Sequence, residues 1–342
     1  MIRPHPHRRQ TWAALLLVLL IGLVGSVPTA AAEEPVEPPP AAEEEAEPKV
    51  LSLGELEERI TSAPWASRVA LISRGFAILA GLVILLVGLW LAYDRRQAKA
   101  AGVAGATARP PRTPPPSLFP PGMSFLLAAL GFLVVPTIVI LILSDGAGKV
   151  SFQQSALALA IGGLPVASLV VQRRLRAKWP GTGLARAFVS GISGFCIATA
   201  FVVPAGLLTL LVMKYAGQEP AAQELVSMML TTEDESVPWT LLVFGVLVAP
   251  FTEEAIFRGL LYPAIRDAGP PGRAGVIRAA ILVSAIFAVV HRSATAALGL
   301  FCLAMVLTWI YERTNSLFAV VVAHGTNNLL SLLPLLLARY GI

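Results

Sequence analysis

Charged residues are scarce in this 342-residue chain, and their scarcity excludes whole classes of protein. Only 14% of the residues are charged, whereas 56% are hydrophobic and the mean hydropathy is +0.72. This composition argues against a water-soluble fold and is typical of a polytopic membrane protein. The net charge is +5, but the basic residues are spread over short loops. They therefore indicate membrane topology, and we expect no nucleic-acid partner.

Cysteine and histidine are also rare, which limits the metal and disulfide sites that the chain can form. The two cysteines, Cys196 and Cys302, each lie inside an apolar run without a CxxC partner. They predict neither a disulfide framework nor a thiolate zinc site, and we interpret them as small buried hydrophobic residues. Two of the four histidines occur within the first seven residues, so only His291 and His324 lie in the apolar part of the chain.

The N-terminal third differs in composition from the rest of the chain. Residues 1–32 combine three arginines, an apolar run and a small-residue cluster, which is the layout of a signal peptide. Cleavage after Ala32 and retention as an uncleaved anchor both stay open. Residues 33–69 hold ten glutamates and are rich in Pro and Ala, so they predict a solvated extracytoplasmic tail. After a first span at 70–93, residues 94–122 predict a stiff Pro/Arg-rich cytoplasmic linker.

Long apolar runs account for most of the remaining sequence. We predict an all-α polytopic membrane helix bundle with about eight transmembrane helices after the signal peptide. Residues 123–186 are interpreted as accessory transmembrane helices, and residues 187–338 as the functional core. The predicted spans are 70–93, 123–144, 152–171, 187–213, 239–262, 278–291, 294–311 and 316–338.

Charges in the connecting loops alternate and predict the orientation of the chain. Loop 172–186 holds five basic residues and no acid, whereas loop 214–238 holds five acids against Lys214. Because basic loops stay inside, we expect loops 94–122, 172–186 and 263–277 to be cytoplasmic. This orientation agrees with export of the N-terminal tail. A signal followed by an Ala/Pro-rich exported tail is typical of a bacterial inner or cell membrane.

Two adjacent carboxylates and an arginine interrupt the apolar run at 239–262. Ionisable groups in a membrane span are costly unless they pair or line a hydrated cavity, so they indicate a functional site. On a helix, Glu254 and Arg258 lie on one face four residues apart, whereas Glu253 points about 100° away. A buried ion pair that only fixes helix packing would explain Glu254 and Arg258. It would leave Glu253 unexplained.

Histidine and asparagine side chains occupy two later spans. His291 ends the segment Phe287-Ala-Val-Val-His291, and His324 lies on the same helical face as Asn328. Helical rise places Glu253 about 14 Å, and His324 about 12 Å, from the cytoplasmic ends of their spans, so we expect the two side chains at one depth. The spans 278–291 and 294–311 are short for a full crossing, which predicts that the chain turns near His291 inside the protein.

Three motifs together carry a family resemblance. They are Glu253-Glu254-x-x-x-Arg258, continued by Gly259, then Phe287-x-x-x-His291, then His324-x-x-x-Asn328. In this order and spacing they resemble the CPBP intramembrane proteases (ABI domain), a family that includes CAAX prenyl endopeptidases and bacteriocin-immunity proteins. The resemblance covers roughly residues 187–338.

The resemblance implies peptide-bond hydrolysis within the membrane. Glu253 would be the general base that activates water, assisted by His291, while His324 and Asn328 would stabilise the oxyanion. Glu254 would balance the site through Arg258. These roles suit the residue types, because a partly buried carboxylate can act as a base and fixed donors stabilise a tetrahedral intermediate.

A metal is a second possibility for the same site. Members of the family are often called metalloproteases, and Glu253, His291 and His324 could supply three zinc ligands. We favour a mechanism without a cofactor. The chain has no HExxH motif, and an asparagine suits an oxyanion better than zinc.

A transporter or a non-catalytic scaffold is the alternative from another class, because ion pathways also use Glu and His. Two observations argue against this alternative: the sequence shows no inverted repeat between its halves, and its polar residues are concentrated at a single site. The expected partners of the protease are the lipid bilayer and a membrane-anchored protein or peptide substrate. A prenylated substrate suits the eukaryotic branch of the family, whereas the exported tail suggests a bacterial protein, so the sequence identifies no substrate.

Overall fold

The computed structural model describes residues 116–144, 151–177, 183–217 and 224–340. They form eight helices and no strand, when the π-helical turns inside two of the helices are counted with their flanks. The helices are α1 (Pro121–Leu143), α2 (Phe152–Arg176), α3 (Leu184–Tyr215), α4 (Glu224–Thr231), α5 (Ser236–Asp267), α6 (Arg273–Val290), α7 (Ala297–Thr314) and α8 (Leu317–Tyr340).

Seven of these helices, all except α4, are long and apolar enough to cross a membrane. The prediction of an all-α polytopic bundle is therefore confirmed, and the chain is an integral membrane protein. Seven of the eight predicted spans coincide with these helices. The signal peptide at 1–32, the tail at 33–69, the span at 70–93 and most of the linker at 94–122 lie outside the described residues.

Two details of the helices differ from the prediction. The loop predicted at 214–238 contains α4, which forms because Met229 is buried against Val237, Leu241 and Leu336. Helix α5 continues five residues past the predicted end at 262, because its charged last turn forms ion pairs within the protein.

Helix α5 contacts α2, α8 and α1, while α3 packs along both α7 and α8. Small residues allow the closest crossings. A Cβ atom at Gly325 of α8 would lie 2.7 Å from the carbonyl oxygen of Val246 in α5, and one at Gly191 would lie 2.7 Å from that of Ala319. These glycines bring the backbone of α8 directly against α5 and α3.

Helix α5 is divided by two π-helical turns, Phe244–Val248 and Phe257–Leu261. Each turn is followed at the second residue by a proline, Pro250 or Pro263. Proline lacks an N–H and its ring collides with the carbonyl group four residues earlier, so a wider turn relieves the collision. The segment Ala249–Ile256 between the two turns carries both glutamates of the first motif.

Candidate active site

Glu254 and Arg258 form the buried ion pair that their four-residue spacing predicts. Arg258 Nη1 donates to Glu254 Oε1 at 2.9 Å, and both side chains are fully buried. The other guanidinium amino group, Nη2, donates to the carbonyl oxygen of Ala304 in α7 at 3.0 Å. The guanidinium also lies 5.1 Å from the centre of the Phe287 ring of α6. Arg258 therefore joins α5 to both α6 and α7.

His324 lies against both glutamates of α5; the sequence predicted His324 at the depth of Glu253, but not its contact with Glu254. Its Nδ1 is 2.8 Å from Glu254 Oε1, and its Nε2 is 3.9 Å from Glu253 Oε2. The His324 side chain is only 4% exposed. One carboxylate oxygen of Glu254 thus contacts both the guanidinium of Arg258 and the imidazole of His324.

Glu253 has a different environment from its neighbour. No described residue donates a hydrogen bond to Glu253, and 16% of its side chain is exposed, whereas the Glu254 side chain is fully buried. The Oε2 atoms of both glutamates are buried without a hydrogen-bond partner among the described residues. Buried polar atoms nearly always have a partner, so an orphaned carboxylate oxygen marks a site where another group can bind. Glu253 is the carboxylate that no arginine neutralises, as its position on the helix predicts.

His291 lies at the end of α6, close to the other site residues but exposed. Its Nδ1 is 2.6 Å from the Phe287 carbonyl oxygen, and its ring centre is 4.6 Å from that of Phe287. The Phe287 ring in turn lies 5.8 Å from the His324 ring, so it stands between the two histidines. The chain turns at Arg292, which has the left-handed φ of 52°. The expected turn beside His291 is therefore present, but His291 and Arg292 are both exposed, so it does not lie inside the protein as expected.

Asn328 lies one turn beyond His324 and uses its side chain to join α8 to α5. Its Nδ2 donates to the carbonyl oxygen of Gly245, in the first π-helical turn, at 2.8 Å. The neighbouring Asn327 donates to Asn328 Oδ1 at 3.3 Å. Sequence reasoning missed both contacts. The pairing of adjacent asparagines in the third motif was the one signal for Asn327, and nothing local indicated Gly245.

The suggested zinc ligands do not converge in this arrangement. Among the described residues, no three His, Cys, Asp or Glu side chains are grouped closely enough to share a metal ion. His324 directs Nδ1 to Glu254, and His291 directs Nδ1 to its own helix. Glu253, His291 and His324 therefore do not form a ready three-ligand site.

The comparisons with known proteins concern the segment that holds this site. Residues 235–330 match a family model described as Rce1-like, type II CAAX prenyl endopeptidase Rce1-like. No curated protein and no solved structure matches the chain. The matched segment runs from the residue before α5 into α8 and contains all three motifs. Residues 235–330 of this integral membrane protein therefore form a domain of the Rce1-like CAAX prenyl endopeptidase family.

Proposed function

We propose that the protein is an intramembrane endopeptidase that cleaves a membrane-associated protein or peptide, with Glu253 as the base that activates water. The observation that carries the proposal is the difference between two adjacent carboxylates. Glu254 Oε1 is held by Arg258 and His324, whereas no described residue donates a hydrogen bond to Glu253, although the Oε2 atoms of both glutamates are buried without a partner. A structural ion pair needs only one glutamate, so the second has to be explained by chemistry.

The hydrogen bonds of His324 suggest how the site shares its protons. Because Glu254 accepts a hydrogen bond from Arg258 as a carboxylate, we assign a proton to Nδ1 of His324, which donates to the same oxygen. Nε2 of His324 then faces Glu253. We assign a second proton to Nε2, which makes His324 an imidazolium. The site then holds a base, the Glu253 carboxylate, beside a hydrogen-bond donor, His324 Nε2–H.

The proposed reaction follows from these positions. Glu253 takes a proton from water as the water oxygen attacks the carbonyl carbon of the peptide bond. The oxyanion that forms accepts hydrogen bonds from His324 Nε2–H and from the N–H of Asn328 that Gly245 does not use. Glu253 then returns the proton to the leaving amine as the C–N bond breaks, and the products are a carboxylic acid and an amine.

His291 is proposed to assist from the edge of the site. If its Nδ1–H donates to the Phe287 carbonyl oxygen, the lone pair on Nε2 is left to accept a proton. His291 and His324 both lie against the Phe287 ring, which puts His291 beside the site. Its exposure suits exchange of protons with water that enters the site.

The direct test replaces Glu253 with Gln, which keeps the shape of the side chain and removes the base. We expect Glu253→Gln to abolish cleavage of a membrane-anchored peptide panel in proteoliposomes, while peptide binding and thermal stability stay near wild type. Glu235→Gln, a matched change at an exposed position of the same region, should cleave normally. Cleavage by Glu253→Gln at a near wild-type rate would show that Glu253 is not the base.

A further inference from the structure

A cavity of about 610 Å³ lies at the C-terminal end of α2, away from the glutamates. Three arginines from the last turns of α2 line it, together with the chain segment 116–118 that precedes α1. None of the described residues that line it is acidic. The loop charges predict that this end of the bundle is cytoplasmic. The lining arginines are Arg173, Arg174 and Arg176.

Aromatic rings hold two of the three arginine side chains in place, but no carboxylate of a described residue neutralises their charge. None of the three forms an ion pair with a described residue, and the carboxylate of Asp267 is held by Arg266 and by the Ser117 N–H. Arg173 lies over the Phe119 ring at 5.1 Å, and Arg174 lies over the Tyr311 ring at 5.9 Å. Stacking on aromatic rings restrains both side chains, and because no described residue accepts a hydrogen bond from the Arg173 guanidinium, its N–H groups are available to an anion.

Arg174 shows that this is more than a run of surface charge. Its Nε atom is buried without a hydrogen-bond partner in the described part of the chain. Its Nη2 reaches the carbonyl oxygen of Gly259, in the second π-helical turn of α5, at 3.4 Å. The need for positive charge in cytoplasmic loops explains arginines here, but not a cavity, nor a lining arginine whose guanidinium is held against α5 and α7.

We propose that this cavity binds the phosphate headgroup of an anionic phospholipid. Guanidinium groups match the oxygens of a phosphate in pairs, and basic pockets between transmembrane helices bind lipid headgroups. The adjacent apolar surface favours a lipid over a soluble phosphate. Leu175, between two of the arginines, is 72% exposed, and Leu118 lines the cavity. An acyl chain can cover these leucines while the phosphate contacts the arginines.

The test compares lipid binding by two variants of the delipidated full chain that lose equal charge. The first, Arg173→Gln with Arg176→Gln, changes the cavity. The second, Arg186→Gln with Arg278→Gln, removes two exposed arginines at the same end of the bundle but outside the cavity. Native mass spectrometry measures the binding of dioctanoyl phosphatidylglycerol, with dioctanoyl phosphatidylcholine as the neutral lipid.

We expect the cavity variant to bind phosphatidylglycerol about tenfold or more weakly than wild type, because it loses two arginines beside the headgroup. The outer variant should bind nearly as wild type does, and phosphatidylcholine binding should not change. Equal losses in the two variants would show that general surface charge attracts the lipid, and would overturn the proposal.

Two further measurements identify the chemistry of the ligand. Inorganic phosphate or glycerol 1-phosphate should displace phosphatidylglycerol only in large excess, because neither covers the leucines. Displacement at equal concentration would make free phosphate the ligand and overturn the assignment to lipid. The variant Arg173→Lys with Arg176→Lys keeps the charge and loses the paired N–H groups, so its affinity should fall between those of wild type and the Gln variant. Wild-type affinity in the Lys variant would contradict a headgroup held by the guanidinium forks.

Discussion

Two polar clusters join α8 to the α5 region, and they differ mainly in their access to water. In the central cluster, His324 meets Glu254 and Arg258, and these three side chains are at most 4% exposed. In the end cluster, Arg339 and Tyr340 of α8 meet Glu235, whose side chain is 66% exposed. Water can replace a lost partner at the end of the bundle but not at its centre. The same contact types therefore have different energetic consequences.

The largest effect is expected when one partner is removed from the central cluster. Arg258→Ala leaves the Glu254 carboxylate buried without its cation, which should lower the free energy of unfolding by roughly 3–5 kcal/mol. Thermal unfolding in detergent and the yield of folded protein measure this loss. Glu235→Ala at the end cluster is the control, and its stability should stay close to wild type.

A double variant separates burial from pairing in the central cluster. Glu254→Leu with Arg258→Met removes the carboxylate and the guanidinium together and should restore part of the folded yield, because neither is left buried without its partner. The restoration should be incomplete, because Nδ1 of His324 loses the oxygen that it contacts. The proteolytic activity of the double variant need not return. If Arg258→Ala alone were as stable as Glu235→Ala, water would reach both clusters and the contrast between them would be wrong.

The next effect concerns catalysis by Asn328, one helical turn beyond His324 of the central cluster. Asn328→Ala removes a proposed donor to the oxyanion, so we expect kcat to fall about 10²–10³-fold with little change in KM. Steady-state cleavage of one membrane-anchored peptide gives both constants. Asn327→Ala, which touches the site through Asn328 alone, should cause a smaller loss. If Asn328→Ala lowered kcat only in proportion to a loss of folded protein, the hydrogen bond from Asn328 to Gly245 would be the whole role of this side chain.

A smaller effect is expected from pH at the end cluster. The hydroxyl group of Tyr340, and then Arg339, lower the pKa of Glu235 below its usual range. The stabilising contribution of this carboxylate is therefore present above its unfolded-state pKa and is lost as the pH falls through its folded-state pKa. The small difference in thermal midpoint between wild type and Glu235→Gln at neutral pH should disappear in acid. A difference that persists unchanged in acid would show that the charge of Glu235 is not responsible.

No effect is expected from metal removal if Glu253 acts as a base without a cofactor. Protein purified with strong chelators should retain its cleavage rate, and elemental analysis should find no stoichiometric zinc. Activity that disappears with chelation and returns only with added zinc would mean that a cation balances the central carboxylates. The central cluster would then differ from the end cluster in binding a metal ion as well as in its lower exposure to water.

Features that depend on nearby residues could be predicted from the sequence. Apolar runs gave the seven described spans, and helical spacing gave the Glu254–Arg258 pair, because both arise within one helix. The contact between His324 and Glu254 joins residues 70 positions apart, so helical spacing could not reveal it. The depth estimated from helical rise placed His324 at the level of the glutamates, but it could not show which glutamate the imidazole contacts.

The π-helical turns could not be predicted from proline alone. Pro250 and Pro263 each follow such a turn, but Pro165, Pro204 and Pro334 lie within continuous α-helix. Whether a helix bends, widens or loses a hydrogen bond at proline depends on what its neighbours supply. In α5, side chains from α8 and α2 reach the carbonyl groups of Gly245 and Gly259. These partners are known only once the helices are packed.

The two π-helical turns also determine how α5 responds to changes in its length. A π-helical turn holds one residue more than the α-helix around it, so deleting one residue from Phe244–Val248 would leave an unbroken helix. The wider turn takes up the extra residue, so the helix on either side of that deletion would keep its orientation, and the face of Leu241 that packs on α8 would stay opposite its partners. The same deletion within the regular segment Ala249–Ile256 would rotate everything before it by about 100° relative to the residues after it. Phe244–Val248 is therefore a part of α5 that can lose one residue without turning the faces on either side of it.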